Sequence, residues 1–226
     1  MLARLPLAVV VVPLIAANLL GRGSASLRHV ALGLALVALL AVIAAVLRLS
    51  PADLGLARDA TGDGFRLGAV CVLVIAAAGA VALVLPPVRS ALEGTAHPSA
   101  GSALVAVLVV IPLGTVLPEE FAFRGVLWAL IRRHDGPRIA TVASSALFGL
   151  WHVVPALGGS AANQAATSTL GGGGSATALR VLGTVLITAL AGAVFCWLRI
   201  RSGSLIAPIM AHWAINSVGT VLLLAV

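Results

Sequence analysis

The sequence predicts an all-α fold, a polytopic bundle of transmembrane helices with about seven spans (seven to eight). Three observations carry this. Of the 226 residues, 61% are hydrophobic and only 9% are charged, a ratio that a water-exposed surface of this size does not tolerate. Several apolar runs reach about 18 residues or more, the helical length that crosses roughly 30 Å of hydrocarbon. The runs also lack the period-two alternation of a membrane-spanning barrel.

The first run, Leu5 to Leu20, follows Arg4 and ends at Gly21-Arg22-Gly23-Ser24. Ser24-Ala25-Ser26 is a poor cleavage site and the run is long for a signal peptide, so a retained first span is expected. The second run is Val30 to Leu47. A polar loop, Arg48 to Arg66, then carries Asp53, Arg58, Asp59 and Asp63. The third run, Leu67 to Leu85, is stopped by Pro86-Pro87. Val88 to Gly101 reads as a short loop in which His97 is a solvated side chain.

The fourth run starts near Ser102, passes through Pro112 and Pro118, and ends at Arg132-Arg133-His134-Asp135. As one helix of about 30 residues it is ~45 Å long, more than a bilayer requires. The two prolines are expected to kink or break it. A fifth run, Ile139 to Leu157, follows Gly136-Pro137-Arg138. Gly158 to Ala176, with Gly171 to Gly174 in a row, reads as a flexible external loop. It lacks the lysine and spacing of a phosphate loop, so it is no nucleotide site. The sixth run is Ala178 to Leu198, closed by Arg199 and Arg201, and the seventh is Leu205 to Val226. Residues 1–100 thus form an N-terminal region of about three spans, and 101–226 a core that holds the polar groups.

The net charge of +7 comes from 14 basic residues, all arginine, against seven acids. The arginines stand at the ends of apolar runs and no basic run is interleaved with exposed aromatics. They are therefore read as topology and lipid-headgroup residues, with the bilayer as their partner and no nucleic acid. Across seven spans one side collects nine arginines and the other four, with Arg124 set aside. The positive-inside rule places the N-terminus in the cytoplasm and the chain in the plasma membrane as a multi-pass protein. Cys71 and Cys196 each lie inside an apolar run and behave as small buried hydrophobes.

One stretch defies the apolar surroundings: Glu119, Glu120 and Arg124 lie within six residues in the middle of the fourth run. An ionisable group at membrane depth marks a functional site by default. Depths follow from counting residues to the cytoplasmic arginines at ~1.5 Å each. Glu119 is then about 20 Å from Arg132, His152 about 21 Å from Arg138, and His212 about 17 Å from Arg201. Three helices place polar groups at one level. Glu120 and Arg124 are four apart and pair on one face, and Glu119, about 100° around the helix, is free to point elsewhere. His212 and Asn216 share a face, as do Phe148 and His152, with Gly149 giving room for a neighbouring helix. Trp151 and Trp213 read as packing or interface aromatics.

The spacing of these residues resembles three motifs of a known family. Glu119-Glu120-Phe121-Ala122-Phe123-Arg124 fits EExxxR, Phe148-Gly149-Leu150-Trp151-His152 fits FxxxH, and His212-Trp213-Ala214-Ile215-Asn216 fits HxxxN. The chain resembles the CPBP family (CAAX proteases and bacteriocin-processing enzymes, also called Abi) over about residues 101–220. Its eukaryotic members are type II CAAX prenyl endopeptidases. The resemblance implies an intramembrane endopeptidase acting on a membrane-associated protein or peptide. Glu119 would be the general base that activates water, with His152 sharing that role. His212 and Asn216 would polarise the scissile carbonyl or hold its oxyanion, and Glu120 and Arg124 would be a supporting pair beside Phe148. Peptide hydrolysis needs both elements.

Two mechanisms are open at this point. Glu119, His152 and His212 make a plausible zinc set with water in the open position. Against it, asparagine is an unusual zinc ligand and the HExxH helix is missing; the same residues also serve a metal-free glutamate mechanism. A non-catalytic scaffold or bacteriocin self-immunity factor, and a proton-coupled transporter, are the alternatives to an enzyme. Intact motifs disfavour the first, and the missing inverted repeat disfavours the second. The lysine-free, Ala/Arg-rich composition points to a GC-rich bacterial genome, where prenylated substrates are not expected.

Overall fold

A computed structural model of the chain describes residues 5–20, 26–94, 97–158 and 173–226. Among them every regular element is helical, as expected of a chain that must satisfy its backbone inside hydrocarbon. Helix α1 is Leu5–Leu20 and α2 is Ser26–Val46. A short α3, Pro51–Leu54, is followed by a 3-10 turn, Arg58–Ala60, and by α4, Thr61–Leu83. Helix α5 is Pro86–Glu93. The next helical stretch is continuous from Ala100, with α6 (Ala100–Val105), wide turns at Ala106–Val116, α7 (Leu117–Glu120), further wide turns at Phe121–Leu127, and α8 (Trp128–Trp151). Helix α9 is Val153–Ala156, α10 is Gly174–Ser202 and α11 is Ile206–Leu222.

Four stretches are long and apolar enough to cross a membrane: Ser26–Val46, Pro51–Leu83, Ala100–Ala156 and Gly174–Ser202; Ile206–Leu222 is apolar but shorter. Large apolar side chains point outward along them, among them Leu73, Val74, Val142 and Leu190. The chain is an all-α membrane bundle. Ala100–Ala156 is 57 residues long and turns at Gly136, whose φ of 81° and ψ of 172° leave the helix. Only glycine adopts that conformation readily, and Pro137 restarts the helix behind it.

The sequence-based boundaries need four corrections. Pro112 and Pro118 do not break the fourth run. The turns around Pro112 widen to a five-residue pattern, seen where the Leu117 N–H reaches the Pro112 carbonyl; the Val107 carbonyl, which that pattern would pair with the absent N–H of Pro112, accepts from Trp213 Nε1 at 2.8 Å instead, and the backbone stays helical through Pro118. The segment after Pro86 is not all loop, because Pro86 starts α5 and Arg89 pairs with Glu93 at 2.9 Å. His97 is exposed but bonds the Leu223 carbonyl at 2.8 Å. The polar loop from Arg48 contains α3, whose Ser50 and Asp53 form a reciprocal capping box. Of the glycine-rich loop, residues 159–172 lie outside the described residues, and α10 begins within its end, at Gly174.

Every residue from Pro118 to Ile131 is buried. A helix buried on all sides is the centre of its bundle, and α2, α8, α10 and α11 all pack against this segment or its flanking turns. Small residues allow the close approaches. A Cβ on Gly149 would meet the Val185 carbonyl oxygen at 2.6 Å, so α8 and α10 touch backbone to backbone there. At its far end the central segment is held by Asp53, which pairs with Arg132 at 2.8 Å and Arg133 at 3.2 Å.

Candidate active site

The central segment brings its two glutamates to different partners. Glu120 is fully buried. Its Oε1 accepts from Arg124 Nη1 at 3.0 Å and from His212 Nδ1 at 2.8 Å. The Arg124 guanidinium, itself fully buried, lies 4.0 Å from the ring centre of Phe148 and 5.0 Å from that of Phe195. Aromatic faces stabilise a desolvated cation that water cannot reach. Phe195 also stacks on His212, with ring centres 4.9 Å apart and planes at 23°. Phe148 therefore touches both charged partners of Glu120: edge-on it meets His212 at 5.8 Å, and His152 at 4.7 Å.

Glu119 turns the other way. Its Oε1 accepts from the indole N–H of Trp151 at 2.9 Å, and its Oε2 lies 3.8 Å from His212 Nε2. The two carboxylates thus share one histidine, Glu120 on Nδ1 and Glu119 facing Nε2. Because ionised Glu120 can only accept, Nδ1 of His212 carries a proton. Two carboxylates, one guanidinium and one imidazolium would sum to zero, which is how a buried charge cluster is tolerated.

Glu119 and His152 line one cavity of about 470 Å³, together with Thr115, Pro118, Trp151 and His29. His152 caps the end of α8. Its Nδ1 bonds the Phe148 carbonyl at 2.8 Å, so Nδ1 carries a proton and Nε2 is left open. On another part of the wall His29 Nε2 and Thr115 Oγ1 are 3.1 Å apart. The carbonyl of Val107, in the widened turns, accepts from Trp213 at 2.8 Å.

Of the residues singled out in the sequence, Glu119, Glu120, Arg124, Phe148 and His212 come into direct contact, and His152 joins through Phe148 and the shared cavity. Asn216 does not join this network. It is half-buried one turn beyond His212 and, among the described residues, makes no hydrogen bond. Three cavity residues, Trp151, Thr115 and His29, were not among the site residues read from the sequence. Trp151 had a signal, since an indole N–H at membrane depth needs an acceptor. Thr115 stands one helical turn before Glu119 and so shares its face. Nothing in the sequence ties His29 to either.

Zinc was one reading of Glu119, His152 and His212. Among the described residues, no group of three His, Cys, Asp or Glu side chains is arranged to hold a metal ion. The Nδ1 atoms of both histidines and one oxygen of Glu119 are already engaged by protein groups. Those bonds leave Nε2 of each histidine and Oε2 of Glu119 open.

A family model described as type II CAAX prenyl endopeptidase Rce1-like matches residues 101–218. No curated protein and no solved structure matches the chain. The matched segment is more than half of the 226 residues, contains all three motifs, and runs from the start of the central helix through His212 and Asn216. The chain belongs to the type II CAAX prenyl endopeptidase Rce1-like family.

Proposed function

We propose that the protein is an intramembrane endopeptidase that hydrolyses a membrane-associated protein or peptide through a metal-free glutamate mechanism. The observation that carries this reading is that Glu119 lines the cavity while its Oε2, buried and without a hydrogen-bond partner among the described residues, lies 3.8 Å from His212 Nε2. Trp151 holds Oε1, so Oε2 is the oxygen left to take a proton from water. The neutral His152 ring offers Nε2 to the same water. Hydroxide adds to the scissile carbonyl carbon, and the oxyanion is met by the Nε2–H of His212. The C–N bond then breaks, and Glu119 returns its proton to the leaving amine nitrogen. Glu120, itself held by Arg124, orients the His212 ring through Nδ1. Positioned donors of this kind contribute factors of about 10²–10³ each.

The excess of arginines on one side supports an N-terminus in the cytoplasm and residence in the plasma membrane. The test is a comparison of envelope peptides from cells carrying the wild-type protein, Glu119→Ala or His212→Ala, each checked for equal expression. New peptide termini are expected with the wild type and in neither variant. If both variants generate the wild-type set, the reading falls.

A further inference from the structure

Another cavity, of about 400 Å³ and lined by both charged and apolar side chains, opens between α4 and α10, away from Glu119. Its size falls within the roughly 300–1,000 Å³ of small-molecule sites. Asp63, Arg66, Leu67 and Val70 line it from α4, and Trp197 and Arg201 from α10. On α4 these positions follow helical spacing and form one stripe, and Trp197 and Arg201, four apart, form another. A different face of α4 is already taken: a Cβ on Gly64 would meet Ser204 Oγ at 2.7 Å, and one on Gly68 would meet Met210 Sδ at 2.6 Å, on the α11 side.

We propose that this cavity binds the headgroup of an ethanolamine phospholipid, a phosphodiester that carries a primary ammonium. Arg66 and Arg201 take the phosphate, Asp63 takes the ammonium, and Leu67 and Val70 receive the start of the acyl chains. Three features carry the assignment. Asp63, Arg66 and Arg201 are exposed and, among the described residues, none makes an ion pair or a side-chain hydrogen bond, although Asp63 and Arg66 are only three apart. Both signs of charge are therefore free in one cavity. The polarity is also layered along the helices. The charged groups lie toward the helix ends, and the apolar Leu67, Val70 and Trp197 lie about a turn further in. That is the order of a lipid at the interface, where Trp is favoured. Finally, the carboxylate selects among headgroups. An anionic headgroup leaves Asp63 facing negative charge, and a quaternary choline has no N–H to donate, whereas a primary ammonium has three.

The experiment is native mass spectrometry of the full chain in detergent, titrated with dioleoyl phosphatidylethanolamine, phosphatidylglycerol or phosphatidylcholine. The ethanolamine lipid should be retained at least about tenfold better than either other, the difference made by one good charged hydrogen bond. Arg66→Ala/Arg201→Ala should lose that retention, and Asp63→Asn should bind but no longer separate ethanolamine from glycerol. Thermal unfolding of each variant checks that it is folded. A parallel titration uses soluble glycerophosphoethanolamine. If it binds as tightly as the lipid, the site is for a free phosphodiester and the lipid assignment is wrong. Equal retention of the three lipids by the wild type, which needs no variant, overturns the proposal.

Discussion

The indole nitrogen of Trp151 donates to Glu119 Oε1 at 2.9 Å, and this bond leaves Oε2 as the unengaged oxygen, beside His212. Trp151→Phe keeps the ring and removes the donor. A hydrogen bond to a charged group contributes about 1.5–3 kcal/mol, so peptidase activity should fall roughly tenfold to a hundredfold. The folded protein should remain monodisperse, with its unfolding temperature lowered by no more than the loss of that one bond explains. Activity at wild-type level in Trp151→Phe would show that the bond does not orient the base.

Glu120 and Arg124 form an ion pair in which both side chains are fully buried. Removing one partner leaves an uncompensated charge and costs about 3–5 kcal/mol, whereas replacing both with apolar residues of similar size is often neutral. Arg124→Met should therefore lower the unfolding temperature sharply, and Glu120→Leu/Arg124→Met should recover most of it. Activity should not return with stability, because His212 Nδ1 then has no carboxylate partner. A double variant that is both stable and active would reduce the pair to scaffolding.

How much of this could be read from the chain varies with the physics involved. Periodicity and charge cost are local, so the helices, the paired Glu120 and Arg124, and the close approach at Gly149 were legible. Depth counting placed Glu119 and His212 at one level, and they do meet. Rotation about each helix axis is set by packing, which no count of residues reveals. That is why Trp151 was read as packing, and why Asn216 was expected beside His212 in the network but stands outside it. The prolines show the same limit. A wide turn accommodates Pro112 without a break, and nothing in the sequence distinguishes that outcome from a kink.

The contact at Gly149 gives a steric test. A Cβ there would come within 2.6 Å of the Val185 backbone oxygen and 2.9 Å of Ala189 Cβ, so Gly149→Val must push α8 away from α10. Trp151 and His152 follow Gly149 directly and would move with it. Both stability and activity should drop, by at least the 1–3 kcal/mol typical of overpacking. Gly183→Ala on α10 is the control, since nothing lies within 4 Å of its Cβ. It should be neutral or stabilise by up to about 1 kcal/mol. Equal tolerance of the two changes would show that the helices can separate there without harm.

The donor geometry also makes a prediction about metal. A catalytic zinc site supplies three protein ligands at about 2.0–2.2 Å from one point. Among the described residues no group of three His, Cys, Asp or Glu side chains converges in that way, although Nε2 of His212 and of His152 is left open by the bonds that hold each Nδ1. Purified active protein should therefore keep its peptidase activity through exhaustive dialysis against a chelator. Elemental analysis should find metal well below one equivalent in that active protein. Loss of activity on dialysis, with recovery on adding one equivalent of zinc, would mean that the site rearranges to bind the ion and that water is not activated by Glu119 alone.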